Sequence, residues 1–241
     1  MSKILVTGDC FAAGEWSRED YTQKVTHDGL AKYLSQDGYD VIHLPFPGNS
    51  NFFIISQLTN TPTVDLIIFF WSASIRDLKQ RTGTEKNSDT KINKNQLLNF
   101  RDLFHHQSFK DLNRLCELKR TPCILIGGVE DLPSWFVKTD WINPLVPSFM
   151  DIAYPDSPIK PMLRDWVGSM GGSAFDIFDE DLYNDIEISQ DYWEGMVKHQ
   201  PDTHDPHPNR WAHKKLYEYI QGEVKKDGEI VLGEECDRWG V

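Results

Sequence analysis

Three short segments carry the residue types that nucleophilic and acid–base catalysis uses. Gly8-Asp9-Cys10 supplies a thiol, and Asp205-Pro206-His207-Pro208-Asn209 supplies a carboxylate two residues before an imidazole. Pro47-Gly48-Asn49-Ser50-Asn51 combines turn-forming and small polar residues. A thiolate is a nucleophile and an imidazole is a general base, so the segments together would suit covalent chemistry. Taken singly, each also has a structural explanation as a turn or a helix cap.

The segments would meet if the apolar blocks near them form one parallel sheet. Alternating apolar runs and helical patterns predict strands at 4–7, 41–44, 65–71 and 123–126, and helices at 25–35, 51–58, 95–118 and 209–224. We expect Trp211, Leu216, Tyr219 and Ile220 on the inner face of the last helix. Strand, helix, strand at this spacing predicts crossover units and a parallel sheet. Ligands bind beyond the carboxyl ends of such strands.

Length and composition predict a single domain over residues 1–241, with insertions at about 72–94 and 129–200. The 241 residues, 39% hydrophobic and 12% aromatic, can bury one sizeable core. Six prolines between 130 and 163 predict ordered loop with little helix. Residues 165–194 hold nine acidic side chains and no Lys or Arg, which predicts an acidic amphipathic helix packed on the body. A lid or a subunit contact is the alternative for that stretch.

Charge and cysteine usage restrict the partners and the compartment. A formal charge of −12 and a pI near 5.0 disfavour nucleic acid or an anionic membrane as the main partner. The four cysteines are too sparse for a disulfide scaffold, and no secretory or membrane-spanning run is evident. We therefore expect reduced thiols and a cytoplasmic protein, with an oligomer or an assembly partner left open.

The three segments, in this order, resemble the motifs of the SGNH (GDSL-type) hydrolases. ILVTGDC is similar to the family's opening strand and GDS block, with Cys10 in place of the nucleophilic serine. Gly48 in FPGNSN matches the second-block glycine, and Asp205 and His207 in DPHPN match the closing block. The likeness runs from the first strand to the last helix with a poorly matched middle, and the motif combination is most similar to members carried by bacteriophages.

The resemblance implies a fold and an activity. The fold is a three-layer α/β/α architecture with a mostly parallel, flavodoxin-like central sheet. The activity is hydrolysis of an ester or acyl group on a small molecule or a glycan, without cofactor or metal. Cys10 would be the nucleophile, His207 the base and Asp205 its orienting partner, with the backbone N–H groups of Gly48 and Cys10 binding the oxyanion. A viral member would act in the host cytoplasm or the virion.

One block of the family has no counterpart here. The GxND segment, which supplies an oxyanion asparagine after the third strand, aligns only with FFWSASIRD. Ser72, Ser74 and Asn51 are the residues that would replace that asparagine. We expect Asn51 and Ser72, with Gly48, among the oxyanion or substrate-binding residues.

Cys10 leaves three interpretations open. It belongs to a working Cys-His-Asp hydrolase, to a serine enzyme altered at this position, or to a fold kept for binding after its chemistry was lost. Sulfur is larger than oxygen and its bonds are longer, so an oxyanion hole shaped for serine would be misaligned. The alternative function is a catalytically inactive SGNH-fold binding module or a structural component of a larger assembly, whether viral or not.

Two further classes of site receive less support. The histidines and aspartates between 199 and 213 are dense enough for a metal cluster, but no ligand spacing among them is diagnostic: His199, Asp202, His204, Asp205, His207 and His213. A dinucleotide site is disfavoured because GDCFAAG lacks the GxGxxG glycines.

Overall fold

A computed structural model describes residues 2–16, 24–72, 94–128, 131–153 and 208–227. The strands in chain order are β1 (Lys3–Gly8), β2 (Glu15–Trp16), β3 (Val25–His27), β4 (Asp40–Pro45), β5 (Leu66–Trp71), β6 (Cys123–Gly127) and β7 (Ile142–Val146). The helices are α1 (Cys10–Ala13), α2 (Gly29–Gln36), α3 (Asn51–Leu58), α4 (Lys94–Lys119), α5 (Phe149–Ala153) and α6 (Arg210–Asp227). The acidic stretch 165–194 and most of both predicted insertions lie outside the described residues.

The main sheet has five parallel strands in the order β4-β1-β5-β6-β7. Numbered along the chain, that order is 2-1-3-4-5, which is the flavodoxin-like arrangement. One face is covered by α1, α2, α5 and α6, and the other by α3 and α4. The predicted α/β class with a parallel, flavodoxin-like central sheet between helical layers is confirmed. Within the described ranges, every helix is too short or too polar to cross a membrane.

The central strands are buried on both faces, as their consecutive apolar residues predict. Alternate side chains of β1 point to opposite layers: Ile4 and Val6 pack with α2 and α6, whereas Leu5 packs with α3. All six residues of β5 are buried. Continuous apolar runs of this kind are the signature of parallel strands covered by helices on both sides.

The prediction of a helix over 25–35 is wrong at its beginning. Val25–His27 forms β3, which pairs antiparallel with β2 in a small second sheet. Helix α2 starts only at Gly29, whose φ of 53° interrupts a right-handed helix. The β-branched Val25 and Thr26 suit the strand, and Gly38 follows the helix end as expected.

The prediction of little more than loop over 130–163 missed a strand. Strand β7 pairs with β6, and within the described residues it has no other neighbour in the sheet. Its register advances by one extra residue between the pairs Ile124–Asn143 and Ile126–Val146. Pro144 lies within that irregularity, where the ladder does not need its missing N–H. Proline is tolerated there because the strand lies at an edge and contains a bulge.

The predicted inner face of the last helix needs one correction. Leu216 and Ile220 are buried as expected, but Trp211 is 50% exposed and carries the Lys215 ammonium over its ring. Ala212 and His213 occupy the inner stripe instead. The buried positions 212, 216 and 220 recur every four residues, and Trp211 lies one residue, or about 100°, away from that stripe.

Gly8 is the last residue of β1, and its position leaves no room for a side chain. Its φ is 138°, and a Cβ there would overlap the carbonyl oxygen of Phe70 and lie 2.6 Å from the Phe70 Cβ. Gly38 also has positive φ, 91°, but a Cβ there would meet nothing within 4 Å. The two glycines separate the cost of backbone strain from the cost of steric overlap.

We expect Gly8→Ala to lower the free energy of unfolding by about 3 kcal/mol, through strain and forced separation of β1 from β5. Gly38→Ala should cost about 1 kcal/mol, because only the strain applies. Urea unfolding of both variants measures the difference. Equal losses would show that the approach of Gly8 to Phe70 is not limiting.

Candidate active site

The Gly8-Asp9-Cys10 segment leaves β1 at the carboxyl edge and turns at once into α1. Asp9 is fully buried and caps this helix: its Oδ1 accepts a hydrogen bond from the Phe11 N–H at 2.9 Å. The Ala12 N–H donates to the Asp9 carbonyl at 3.1 Å. Asp9 therefore holds the turn that presents Cys10.

Two side chains fix the backbone of α1 from outside. The Trp16 Nε1 donates to the Cys10 carbonyl at 3.3 Å, and the His43 Nε2 lies 2.9 Å from the Ala12 carbonyl. A carbonyl only accepts, so the His43 Nε2 carries a proton. Gly14, with φ 104°, lies so close to the backbone of β3 and of Gly29 that a Cβ would be 2.6 Å from the Gly29 nitrogen. The segment from Asp9 to Trp16 is thus held from several directions.

The Cys10 side chain is buried. The residue exposes 7% of its surface and packs in the cluster that lies beneath α2 and α6. It is unpaired, as are Cys116 and Cys123. Reactive thiols are usually partly exposed, whereas inert structural cysteines are buried. Among the three interpretations of Cys10, this burial favours a fold kept for binding.

The Pro47-Gly48-Asn49 loop lies beside the end of β1. The Phe46 N–H donates to the Gly8 carbonyl at 2.8 Å, which joins this loop to the Gly8-Asp9-Cys10 segment. The Asn49 N–H donates to the Phe46 carbonyl at 3.1 Å, closing a turn in which Gly48 has φ 76°. Pro at the second position and Gly with positive φ at the third are typical of a type II turn. Gly48 is exposed at this edge.

Asn51 and Ser72 join the end of β5 to the start of α3. The Asn51 Oδ1 accepts from the Ser72 N–H at 2.8 Å, and its Nδ2 donates to the Ser72 carbonyl at 2.9 Å. The Ser72 Oγ donates to the Asn49 carbonyl at 2.8 Å. Both residues are fully buried. Their polar groups therefore hold the loop after β4 against the loop after β5, and their binding of substrate stays a prediction.

Asp205 and His207 lie outside the described residues, as does Ser74, so their predicted roles stay predictions. The chain is described again from Pro208, which is buried, and Asn209, whose Oδ1 accepts from the Ala212 N–H at 2.9 Å. Helix α6 starts next to Glu15 and Gly29. Gly29 is the first residue of α2, and this end of α2 lies nearest the carboxyl edge of the sheet. The helix that follows DPHPN thus begins beside the loop that carries Cys10.

The buried carboxylate of Glu15 joins the segment after α1 to the start of α6. Glu15 is 7% exposed, and its Oε2 lies 2.7 Å from both the Nε and an Nη of Arg210. The Tyr33 hydroxyl donates to the Arg210 carbonyl at 2.9 Å. Hydrogen bonding to Glu15 and its charge raise the pKa of the Arg210 guanidinium further. The sequence analysis assigned no role to either residue, although Glu15 directly follows GDCFAAG and Arg210 directly follows DPHPN.

His213 lies in the core beside this junction. It is fully buried, with its ring 5.1 Å from that of Phe149 and 6.3 Å from that of Phe70. Its nitrogens make no hydrogen bond within the described part of the chain. Burial, followed by the charges of His27 and His43, lowers its pKa to about 3, and the nearby Gly14 backbone offsets this only in part. His213 is therefore neutral at physiological pH.

The other members of the suggested metal cluster lie outside the described residues. In the described ranges, no three His, Cys, Asp or Glu side chains are grouped to hold a metal ion. His213 itself faces two phenylalanine rings. Its position is that of a core residue.

Comparison with models of known protein families and with curated proteins finds no match for this chain. The fold class therefore rests on the sheet order, and the likeness to the SGNH hydrolases rests on three short motifs.

We expect Asn51→Ala to lower the free energy of unfolding by about 3 kcal/mol, because the buried N–H and C=O of Ser72 both lose a partner. Asn49→Ala is the matched control: its side chain makes an exposed 3.2 Å bond to the Pro47 carbonyl. That change should cost less than about 0.5 kcal/mol. Denaturant unfolding of both variants tests the assignment, which similar costs would contradict.

The buried neutral His213 predicts a loss of stability on acidification. Its folded pKa of about 3 is below the ordinary 6.5, so the folded state resists protonation and the stabilisation present above pH 6.5 declines as pH falls toward 3. Between pH 7.5 and 5 the loss should be about 2 kcal/mol. His213→Leu should remove this component from the stability-versus-pH curve, measured by urea unfolding. Parallel curves for the parent and the variant would show that His213 does not contribute.

Proposed function

We propose that this protein is an SGNH-like hydrolase that cleaves an ester or acyl group through Cys10, His207 and Asp205. One observation carries the proposal: Cys10 follows β1, Gly48 follows β4, and the helix after DPHPN begins beside them, at the carboxyl edge of a 2-1-3-4-5 sheet. Ligands of parallel α/β sheets bind at that edge. The motif combination further supports a relationship to members carried by bacteriophages.

The chemistry would proceed in two steps. In the first, His207 takes the Cys10 proton, the sulfur attacks the ester carbonyl carbon, and the leaving alkoxide takes the proton back as the C–O bond breaks. In the second, His207 accepts a proton from a water molecule that attacks the thioester carbonyl carbon. The C–S bond then breaks to release the carboxylic acid, and the Cys10 sulfur takes the proton from His207. Asp205 would orient the imidazole and stabilise its charged form.

Oxyanion stabilisation would come from backbone N–H groups. Gly48 supports this role because it lies exposed in a type II turn at the correct edge, linked to Gly8 through Phe46. The Cys10 N–H is the second proposed donor. Asn51 and Ser72 would act mainly by holding the Gly48 loop in place, since their polar groups bind each other and Asn49.

The second candidate function is a catalytically inactive binding module or structural component with the same fold. The burial of Cys10, 7% exposed and packed among apolar side chains, favours it. A small thiol in the former serine position would fill space in the core without reacting. A binding module would stay inactive when serine replaces Cys10, whereas a site adapted to a sulfur nucleophile would lose the activity it has.

We expect purified protein to hydrolyse a small activated ester, with Cys10→Ala and His207→Ala each lowering kcat at least about a hundredfold. Cys10→Ser distinguishes the interpretations of Cys10: a site shaped for oxygen should gain activity, and one adapted to sulfur should lose it. Lys214→Gln, on the exposed face of α6, is the control and should leave the rate unchanged.

Two outcomes would contradict the proposal. A parent rate that survives both Cys10→Ala and His207→Ala would show that hydrolysis is incidental. A parent and a Cys10→Ser variant that are both inactive across a panel of short-chain and aryl esters would support the binding-module function instead.

A further inference from the structure

The contact between Glu15 and Arg210 joins residues that are 195 positions apart in the chain. Two guanidinium nitrogens, Nε and one Nη, lie 2.7 Å from the same carboxylate oxygen. The Glu15 side chain is 10% exposed and that of Arg210 60%. A largely buried carboxylate needs a charged partner, because its desolvation is otherwise uncompensated. This pair is therefore unlike an exposed ion pair, which contributes little.

Arg210 occupies a position that helix electrostatics disfavours. It is the first residue of α6, where the partial positive charge of the helix N-terminus repels a cation. The Glu15 carboxylate offsets this repulsion because its negative charge lies beside the Arg210 guanidinium. The Tyr33 hydroxyl, bonded to the Arg210 carbonyl at 2.9 Å, holds the same residue from α2. The placement of Arg210 is explained by Glu15 rather than by helix propensity.

On the other side, Glu15 belongs to the rigid segment that carries Cys10. Only Gly14 separates it from α1, and a Cβ on Gly14 would lie 2.6 Å from the Gly29 nitrogen. The next residue, Trp16, donates to the Cys10 carbonyl at 3.3 Å. The Thr26 Oγ1 donates to the Glu15 carbonyl at 3.2 Å. A displacement of Glu15 would therefore be transmitted to Cys10, and a displacement of Arg210 to the start of α6.

We propose that Glu15 is a positioning residue which, by binding Arg210, sets the start of α6 relative to Cys10. The inference rests on the proposed function, because it assigns Glu15 to the alignment of the nucleophile with its base. Covalent catalysis is sensitive to such alignment, and a misplacement of about 1 Å can cost about a hundredfold in rate. The Glu15 carboxylate binds the Arg210 guanidinium and also accepts a hydrogen bond from the Thr26 hydroxyl at 3.4 Å, and the positioning role is assigned to the Arg210 contact.

The test is a kinetic double-mutant cycle at a temperature where thermal unfolding shows every variant folded. Glu15→Gln should lower kcat for an activated ester about tenfold and leave KM within about twofold. Arg210→Gln should do the same, and the double variant should be no slower than either single one. Arg210→Lys, which keeps the charge but not the two-nitrogen contact, should fall between. Glu218→Gln, from the exposed Lys214–Glu218 pair on the same helix, is the matched control and should leave kcat unchanged.

The outcomes separate this proposal from the proposed function. A stability loss in Glu15→Gln with kcat unchanged would make the pair purely structural and overturn the positioning role. Effects of Glu15→Gln and Arg210→Gln that multiply in the double variant would also overturn it, because Glu15 would not then act through Arg210. If the parent rate does not depend on His207, the proposed function fails and the positioning role fails with it. If Glu15→Gln does not fold, Arg210→Lys and Arg210→Gln decide the question alone.

Discussion

The packing of Gly8 against Phe70 is the constraint on which the carboxyl edge depends. β1 pairs with β4 on one side and β5 on the other, and its last residue has no room for a side chain. The chain can leave the sheet there only through a glycine. Asp9 then caps α1 and Cys10 begins that helix. The position of the proposed nucleophile thus follows from the close contact of two neighbouring strands.

Hydrogen bonds and one ion pair connect the loops around that point. Phe46 bonds to Gly8, Asn51 to Ser72, and Glu15 to Arg210, so that four segments distant in sequence are held at one edge. Each of the last two contacts buries a polar group that would be costly without its partner. The edge is consequently a cooperative arrangement, in which removal of one partner leaves another group unsatisfied.

The sequence was most informative where burial is two-sided. The consecutive apolar residues of β1, β5 and β6, and the capped α3, appear at nearly the predicted positions because hydrophobic patterning alone determines them. β7 was missed because Pro144 is tolerated only at an edge with a bulge, a condition that no local pattern reveals. The first part of helix 25–35 was wrong because pairing with β2 determines β3.

The candidate site was less predictable than the sheet. Asn51 was predicted as one of the residues that replace the missing oxyanion asparagine, and that role stays a prediction; the bonds of its amide to the Ser72 backbone could not be predicted from the sequence. His213 belongs to a group of histidines and aspartates for which a metal cluster received little support from the spacing, and in the structure it faces phenylalanine rings. Glu15 and Arg210 are ordinary surface types in sequence, and only the folded chain brings them together. Pairings across nearly the whole chain length leave no local signal.

Activation of Cys10 by His207 would show itself in the pH dependence of Cys10 alkylation. Peptide mass spectrometry resolves alkylation of Cys10 from that of the other three cysteines, Cys116, Cys123 and Cys236, because each lies in a different peptide. An ordinary thiol has a pKa of about 8.5. We expect the alkylation rate of Cys10 in the parent to rise at a pH well below that value. In His207→Ala the rise should move up to that value. Identical profiles for the parent and the variant, both rising near about pH 8.5, would contradict this activation.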